Sequence, residues 1–208
     1  MPNSLNWIAG QSFAKSLLCL LALIGGLIAL LYNHDAIEAL RYQRTSFVDQ
    51  PWQSITHALV HLNLRHLSLN VLALLCLVAL FSEAFRSAGW LFALLGSAAI
   101  SAAGLYFFSP LTDWCVGLSG ALHGLMVYAV LRARASPLWL LALVAKVGLE
   151  QTAFYQQSNW LDTTANYIGH DVVVDAHLWG AIGGLIFYML VHLYRYIAVS
   201  IEITRSRG

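Results

Sequence analysis

The chain has 208 residues, of which 59% are hydrophobic and only 10% are charged, and its mean hydropathy is +0.68. Soluble domains carry roughly 25% charged residues, so the composition excludes that class and predicts an integral membrane protein. The net charge of +1 provides no basic face for nucleic acid. The odd number of cysteines, three, predicts no disulfide framework.

Six apolar segments separated by polar turns predict an all-α, polytopic membrane protein. The longer segments can span a hydrocarbon core of ~30 Å, because each helical residue rises ~1.5 Å. We expect a single membrane domain over residues 1–208, with helices over residues 13–31, 55–81, 90–108, 117–131, 137–154 and 177–197. The first segment lacks a small-residue cleavage site at its end, so it is expected to remain as a helix.

Basic residues predict the orientation. Most of those outside the apolar segments flank the N-terminus, the even-numbered turns and the C-terminus: Lys15, Arg86, Arg132, Arg134, Arg195, Arg205 and Arg207. The loops on the other side carry only Arg41 and Arg44. By the positive-inside rule both termini are cytoplasmic. The polar ends of the second, fourth and sixth helices therefore share the external side.

The octet Gly117–Gly124, GLSGALHG, is the first candidate for chemistry. Ser119 lies between glycines where a polar loop turns into an apolar segment, which favours an exposed hydroxyl and a close approach of backbone. A small-residue patch for helix packing is the alternative. Cys115 is a rival nucleophile, but no base is placed for it.

Polar side chains also begin the second and sixth helices. His66 and Asn70 are four residues apart and therefore project from one helical face, as do Ser119 and His123. Polar groups at membrane depth are costly and usually face the interior of a bundle. In the sixth helix His177 begins a face continued by glycines, so a partner backbone can approach it closely.

With these motifs the chain resembles the rhomboid intramembrane serine proteases over roughly the second to sixth helices. Three motifs carry the resemblance: His66-x-x-x-Asn70, Gly117-Leu118-Ser119-Gly120 and Ala176-His177-x-x-Gly180-x-x-x-Gly184. The resemblance implies a six-helix bundle with a water-filled cavity open to the outside. It also implies cleavage of transmembrane protein substrates within the lipid, without a metal or another cofactor.

The resemblance also implies roles for individual residues. Ser119 is the expected nucleophile and His177 the general base of a Ser-His dyad. His66 and Asn70, together with Ser119, are expected to form the oxyanion hole. The supporting residues are His123, Gly117, Gly120, Gly180 and Gly184.

Within the family, the compact size and the GxSGxxHG form resemble the rhombosortases. These bacterial rhomboids are paired with proteins that end in Gly-Gly, an apolar helix and a basic tail. The resemblance therefore implies a bacterial inner (cytoplasmic) membrane location, with the active site open to the periplasm.

The chain also departs from the usual rhomboid pattern. Trp52-Gln53 stands where many rhomboids have Trp-Arg, and His123 where many have a tyrosine that packs on the catalytic histidine. We expect His123 to stay neutral, to reach His177 and to hold its tautomer and orientation. Asp175 is the nearest candidate for a third, acidic member.

Two further readings of the polar residues stay open. Lys146 and Glu150, four residues apart in the fifth helix, predict an interhelical ion pair or snorkelling side chains. The histidines suggest a haem or metal-binding bundle, with His57, His61, His66, His123 and His177 as ligands.

Against a metal or haem site, no HExxH motif occurs, and the glycine-flanked serine would then have no role. The other alternative is a rhomboid-like protein that binds transmembrane clients without cleaving them. Such pseudoproteases typically lose the serine or the histidine, and both are present here.

Overall fold

The computed structural model describes residues 4–158 and 163–205; Arg207, assigned above to a cytoplasmic tail, lies outside them. The described chain is mostly helical. The helices are α1 Ser4–Leu31, α2 His34–Leu40, α3 Gln53–Thr56, α4 Leu64–Leu80, α5 Gly89–Phe108, α6 Ser119–Arg132, α7 Leu138–Glu150, α8 Ala153–Gln156, α9 Thr163–Ile168 and α10 Val174–Arg205. Two short strands, β1 Tyr42–Gln43 and β2 Trp114–Cys115, pair antiparallel.

Three described helices are long and apolar enough to cross a membrane: the Ala14–Leu31 part of α1, all of α5, and the Val174–Tyr194 part of α10. The α3 and α4 segments together form a fourth candidate that is bent by 98°. Helices α6 and α7 have 14 and 13 residues, about 20 Å each at ~1.5 Å per residue. Six spanning helices therefore stay a prediction.

The continuous helix predicted over residues 55–81 is wrong, because the chain breaks between Leu59 and Leu64. Val60 is extended (φ −107°, ψ 149°), and Asn63 then caps α4 by accepting a hydrogen bond from the His66 backbone N–H at 3.0 Å. Asn63 also donates to the Ile168 carbonyl at 2.9 Å, which ties α9 to the start of α4. The break fixes the start of α4, and His66 therefore lies in its first turn.

Helix α7 ends at Glu150, four residues before the predicted end at 154. Thr152 caps the following helix α8, because its hydroxyl accepts from the Tyr155 N–H at 3.2 Å. Helix α10 begins at Val174, three residues before the predicted start at 177, so His177 lies in its first turn.

A seam of small residues brings α6 and α10 together at backbone distance. A Cβ on Gly180 would overlap the carbonyl oxygen of Gly120, and a Cβ on Gly184 would overlap that of Gly124. Close approach of this kind is how membrane helices gain packing energy without a hydrophobic driving force. Ser101 on α5 adds a hydrogen bond to the Ala176 carbonyl at 3.0 Å.

The loop between α2 and α3 is fastened to the end of α5 by Arg44. Its guanidinium donates to carbonyl oxygens in and just after the last turn of α5, those of Leu105, Tyr106, Ser109 and Thr112. Carbonyls at a helix end lack helical partners, and a cation also favours the negative end of the helix dipole. The strand pair β1–β2 extends this contact to the segment just before Ser119.

Gln53, where the sequence departs from the Trp-Arg pattern noted above, anchors the same loop from inside. It is buried, its Oε1 accepts from the Gln43 N–H at 3.0 Å, and its Nε2 donates to Gln50 Oε1 at 2.8 Å. A neutral amide both donates and accepts, so it satisfies its neighbours without burying a charge. The departure at this position therefore changes the chemistry of the anchor while the loop stays anchored.

The glycine seam leads to a first prediction. Gly184→Ala places a methyl group against the Gly124 backbone, and overpacking of this kind costs about 1–3 kcal/mol. We expect a lower midpoint of thermal unfolding in detergent. Gly148→Ala on α7 is the matched control, because a Cβ there meets no atom within 4 Å. Equal midpoints for the two variants would contradict the close-packed seam.

Candidate active site

The N-terminal ends of α4, α6 and α10 meet at one end of the bundle, and Gly117 shapes the approach to α6. Its φ of +108° is a conformation that side chains rarely adopt, and a Cβ there would lie 2.5 Å from Cε1 of His66. Its N–H donates to the His57 carbonyl at 2.9 Å. Glycine is therefore required at 117 for both backbone and space, and the turn brings His66 beside the segment that leads to Ser119.

Ser119 and His177 lie within hydrogen-bonding distance. The Ser119 Oγ is 3.2 Å from Nε2 of His177, although the two residues are 58 positions apart in sequence. Ser119 is the first residue of α6, and His177 is buried in the first turn of α10. A base at this distance can take a hydroxyl proton.

The other ring nitrogen of His177 faces a carboxylate that the sequence did not assign to the site. Nδ1 lies 3.0 Å from Oε2 of Glu150, the last residue of α7, and Asp175 does not supply this group. A carboxylate only accepts hydrogen bonds, so Nδ1 carries the proton. Nε2 is then the unprotonated nitrogen, which is the form that accepts from the Ser119 hydroxyl.

Lys146 and His123 complete the cluster. Lys146 Nζ lies 2.6 Å from Oε1 of Glu150 and 2.9 Å from Nε2 of His123. An ammonium only donates, so His123 Nε2 accepts; its Nδ1–H donates to the Ser119 carbonyl at 2.7 Å. His123 is therefore a neutral imidazole held between α6 and α7.

His123 packs flat against His177. Their ring centroids are 4.1 Å apart and their planes differ by 14°. This contact fits the expected packing of His123 on His177. The expectation that His123 holds the tautomer of His177 is wrong, because Glu150 makes the bond to Nδ1.

His66 and Asn70 project buried polar atoms near this end of the bundle. Asn70 is 5% exposed, and among the described residues neither its Nδ2 nor Nδ1 of His66 has a hydrogen-bond partner. Unsatisfied buried donors are costly, so such groups in a native fold call for a functional explanation. Both are chemically suited to bind an oxygen that appears during a reaction.

The histidines do not gather into the metal site considered from sequence. In the described part of the chain, two of the five considered histidines, His123 and His177, do come together, and with Glu150 they form a group whose donor atoms lie within 4.8 Å of one another. The Lys146 ammonium donates into this same group. Its positive charge opposes a dication there, so these residues fit a proton network better than a metal.

Cys115, the rival nucleophile, lies in β2 and is buried. Burial raises the pKa of its thiol to about 12, so the reactive thiolate is scarce at neutral pH. The thiol is directed toward the Val116 carbonyl at 3.9 Å. Cys115 therefore has the properties of a structural cysteine.

Comparison with known families found a match for the chain. The family model described as the Rhomboid domain matches residues 48–194, more than two thirds of the chain. A search among curated proteins returned no match. The matched range contains α3 to α9 and most of α10, with every side chain of the cluster. The chain therefore belongs to the rhomboid family, whose members are intramembrane serine proteases.

Proposed function

We propose that this protein is an intramembrane serine endopeptidase in which Ser119 is the nucleophile and His177 the general base. The observation that carries the proposal is the 3.2 Å separation of Ser119 Oγ and His177 Nε2, in a member of a family of such proteases. A single serine or histidine in a membrane helix usually has a role in helix packing and none in catalysis. A serine hydroxyl that faces the unprotonated nitrogen of a buried imidazole has the geometry of an activated nucleophile.

The reaction then follows from the two side chains. Ser119 Oγ attacks the carbonyl carbon of the scissile peptide while its proton passes to Nε2 of His177. The tetrahedral intermediate breaks its C–N bond as Nε2 returns the proton to the leaving nitrogen. Nε2 of His177 then takes a proton from water, which attacks the acyl-enzyme ester. As the ester C–O bond breaks, Nε2 gives this proton back to Ser119 Oγ, and the carboxyl product is released.

The oxyanion of this intermediate needs donors that are in place before it forms. His66 and Asn70 supply them in this proposal, with the backbone N–H of Ser119, which is free of a helical partner at the start of α6. The unpartnered Asn70 Nδ2 supports this assignment. His123 supports the base by stacking on it.

The site lies inside a bundle of six crossing helices in this proposal, with α6 and α7 as the two short crossings. The distribution of Lys and Arg supports a cytoplasmic location for both termini. The ends of α4, α6 and α10 that carry the site then face outward. In a bacterial inner membrane that side is the periplasm.

The proposed substrates are rhombosortase substrates, which end in Gly-Gly, an apolar helix and a basic tail. The GxSGxxHG form over residues 117–124 supports this narrower assignment. A reporter carrying such a C-terminus should be cut near the Gly-Gly pair when expressed with this protein, as measured by mass spectrometry. If only reporters lacking the Gly-Gly pair were cut, the rhombosortase assignment would fail while the protease assignment stood.

Loss of either member of the pair should abolish the reaction, because the two side chains act as one unit. A fluorophosphonate probe should label purified parent protein and leave Ser119→Ala and His177→Ala unlabelled, with thermal unfolding unchanged by more than a few degrees. The same variants should not cut a transmembrane reporter. Cleavage by Ser119→Ala at the parental rate would eliminate the serine-protease mechanism, and an unlabelled parent that binds the reporter uncut would indicate a client-binding protein.

The oxyanion assignment predicts a rate effect. Asn70→Ala should lower kcat for reporter cleavage about 10²- to 10³-fold, because the lost donor acts on charge that develops only after attack. KM should change little. Steady-state kinetics in detergent or proteoliposomes would measure both. A change in KM alone would show that Asn70 contributes to substrate binding instead.

A further inference from the structure

We propose that Glu150 is a third member of the catalytic unit, a positioning residue for His177, and that Lys146 supplies its counter-charge. This inference rests on the proposed function, since it gives His177 the role of base. The unit is then Ser119, His177 and Glu150 in place of a serine-histidine dyad.

The first step is the burial of the Glu150 side chain. It is 6% exposed, and taking a lone carboxylate out of water costs several kcal/mol unless it is paired. Both oxygens are paired: Oε1 with Lys146 at 2.6 Å and Oε2 with His177 Nδ1 at 3.0 Å. A carboxylate held at both oxygens is fixed in place, and so is the imidazole that it faces.

The second step is charge balance. Lys146 is 48% exposed on its side chain, so the ammonium reaches from the surface to the buried carboxylate. The charges of Lys146 and Glu150 sum to zero, so His177 need not carry a positive charge to balance Glu150. His177 therefore rests as a neutral base, with its proton on Nδ1 and its lone pair on Nε2 toward Ser119.

The third step is what happens during proton transfer. When the Ser119 proton reaches Nε2, His177 becomes an imidazolium whose Nδ1–H still points at Glu150. Glu150 stays ionised and accepts that hydrogen bond, so the new positive charge forms beside a fixed negative one. No proton passes to the carboxylate.

His123 restrains the same ring from a different direction. Glu150 fixes the rotation of the His177 ring through Nδ1, while His123 covers one face at 4.1 Å between centroids. Lys146 binds both of these residues, and His123 in turn binds the Ser119 carbonyl. The Lys146 ammonium thus joins Glu150 and His123, the two residues that hold the His177 ring. Through His123 it is also linked to Ser119.

The competing explanation is that Lys146 and Glu150 form an ion pair that only stabilises the fold. The geometry of the pair argues against this explanation. Lys146 and Glu150 are four residues apart on α7, so their contact joins no two helices. The contact between α7 and α10 made by this carboxylate is the bond to His177. If only the ion pair mattered, removal of either partner would have the same effect.

The test compares two neutral variants of similar size, Glu150→Gln and Lys146→Gln, by their rate of labelling with a fluorophosphonate probe. Loss of the orienting carboxylate costs up to about 10⁴-fold in soluble serine proteases, so we expect Glu150→Gln to be labelled about 10²- to 10⁴-fold more slowly. Lys146→Gln keeps the bond between Glu150 and His177 but removes the counter-charge of Glu150, so we expect it to lose less than Glu150→Gln. Glu150→Asp, which keeps the charge, should be labelled faster than Glu150→Gln.

The control is Glu83→Gln. It breaks an exposed ion pair with Arg86 inside the turn that connects α4 and α5, and it should keep the parental rate of labelling. Parental labelling of Glu150→Gln, or equal losses in Glu150→Gln and Lys146→Gln, would overturn the role of Glu150 while leaving Ser119 and His177 in place. Labelling of Ser119→Ala would overturn the proposed function, and this inference with it.

A measurement on the parent covers the case in which Glu150→Gln does not fold. With ¹⁵N-histidine incorporated, the Nδ1–H of His177 should give a strongly downfield proton signal from its bond to a carboxylate. The signal should disappear in His177→Asn and persist in Ser119→Ala. Absence of the signal in the folded parent would refute the bond on which the inference rests.

Discussion

The backbone contact between α6 and α10 is the constraint on which the site depends. Gly180 against Gly120 and Gly184 against Gly124 leave no room for side chains, so the two helices approach closely along one seam. Ser119 begins α6 and His177 lies in the first turn of α10, directly beyond that seam. The distance between hydroxyl and imidazole is thus set by the packing of the two helices.

The second constraint is the cost of polar groups in a setting of low dielectric. Each member of the cluster is bonded: the hydroxyl of Ser119 to His177, His177 to Glu150, and Glu150 to Lys146. His123 uses one nitrogen for the Ser119 carbonyl and the other for Lys146. Such a network stays rigid because breaking any bond leaves a buried group unsatisfied. Its rigidity is what a base needs to hold one tautomer.

Sequence reasoning found the parts of this arrangement that have local signatures. Ser119 between glycines, and His177 followed by Gly180 and Gly184, form local motifs, and their resemblance to the rhomboid pattern marked the two residues as candidates. Glu150 was missed because its partner His177 is 27 residues away, and spacing relates it only to Lys146. The break before α4 was missed because hydrophobic residues recur on both sides of it, which is also the pattern of one continuous helix. Asn63 was the available signal, since it precedes the helix and caps it.

The long sequence separations within the site have a consequence for biogenesis. Arg44 reaches carbonyls 61 to 68 positions away, and Ser119 meets His177 across 58 positions. Contacts of this range form late, because the loops they close must lose their entropy before the contacts can stabilise them. A partly inserted chain carries the serine without its imidazole. In the proposed protease the reactive pair therefore exists only in the finished bundle, and newly made membrane proteins nearby do not meet it before then.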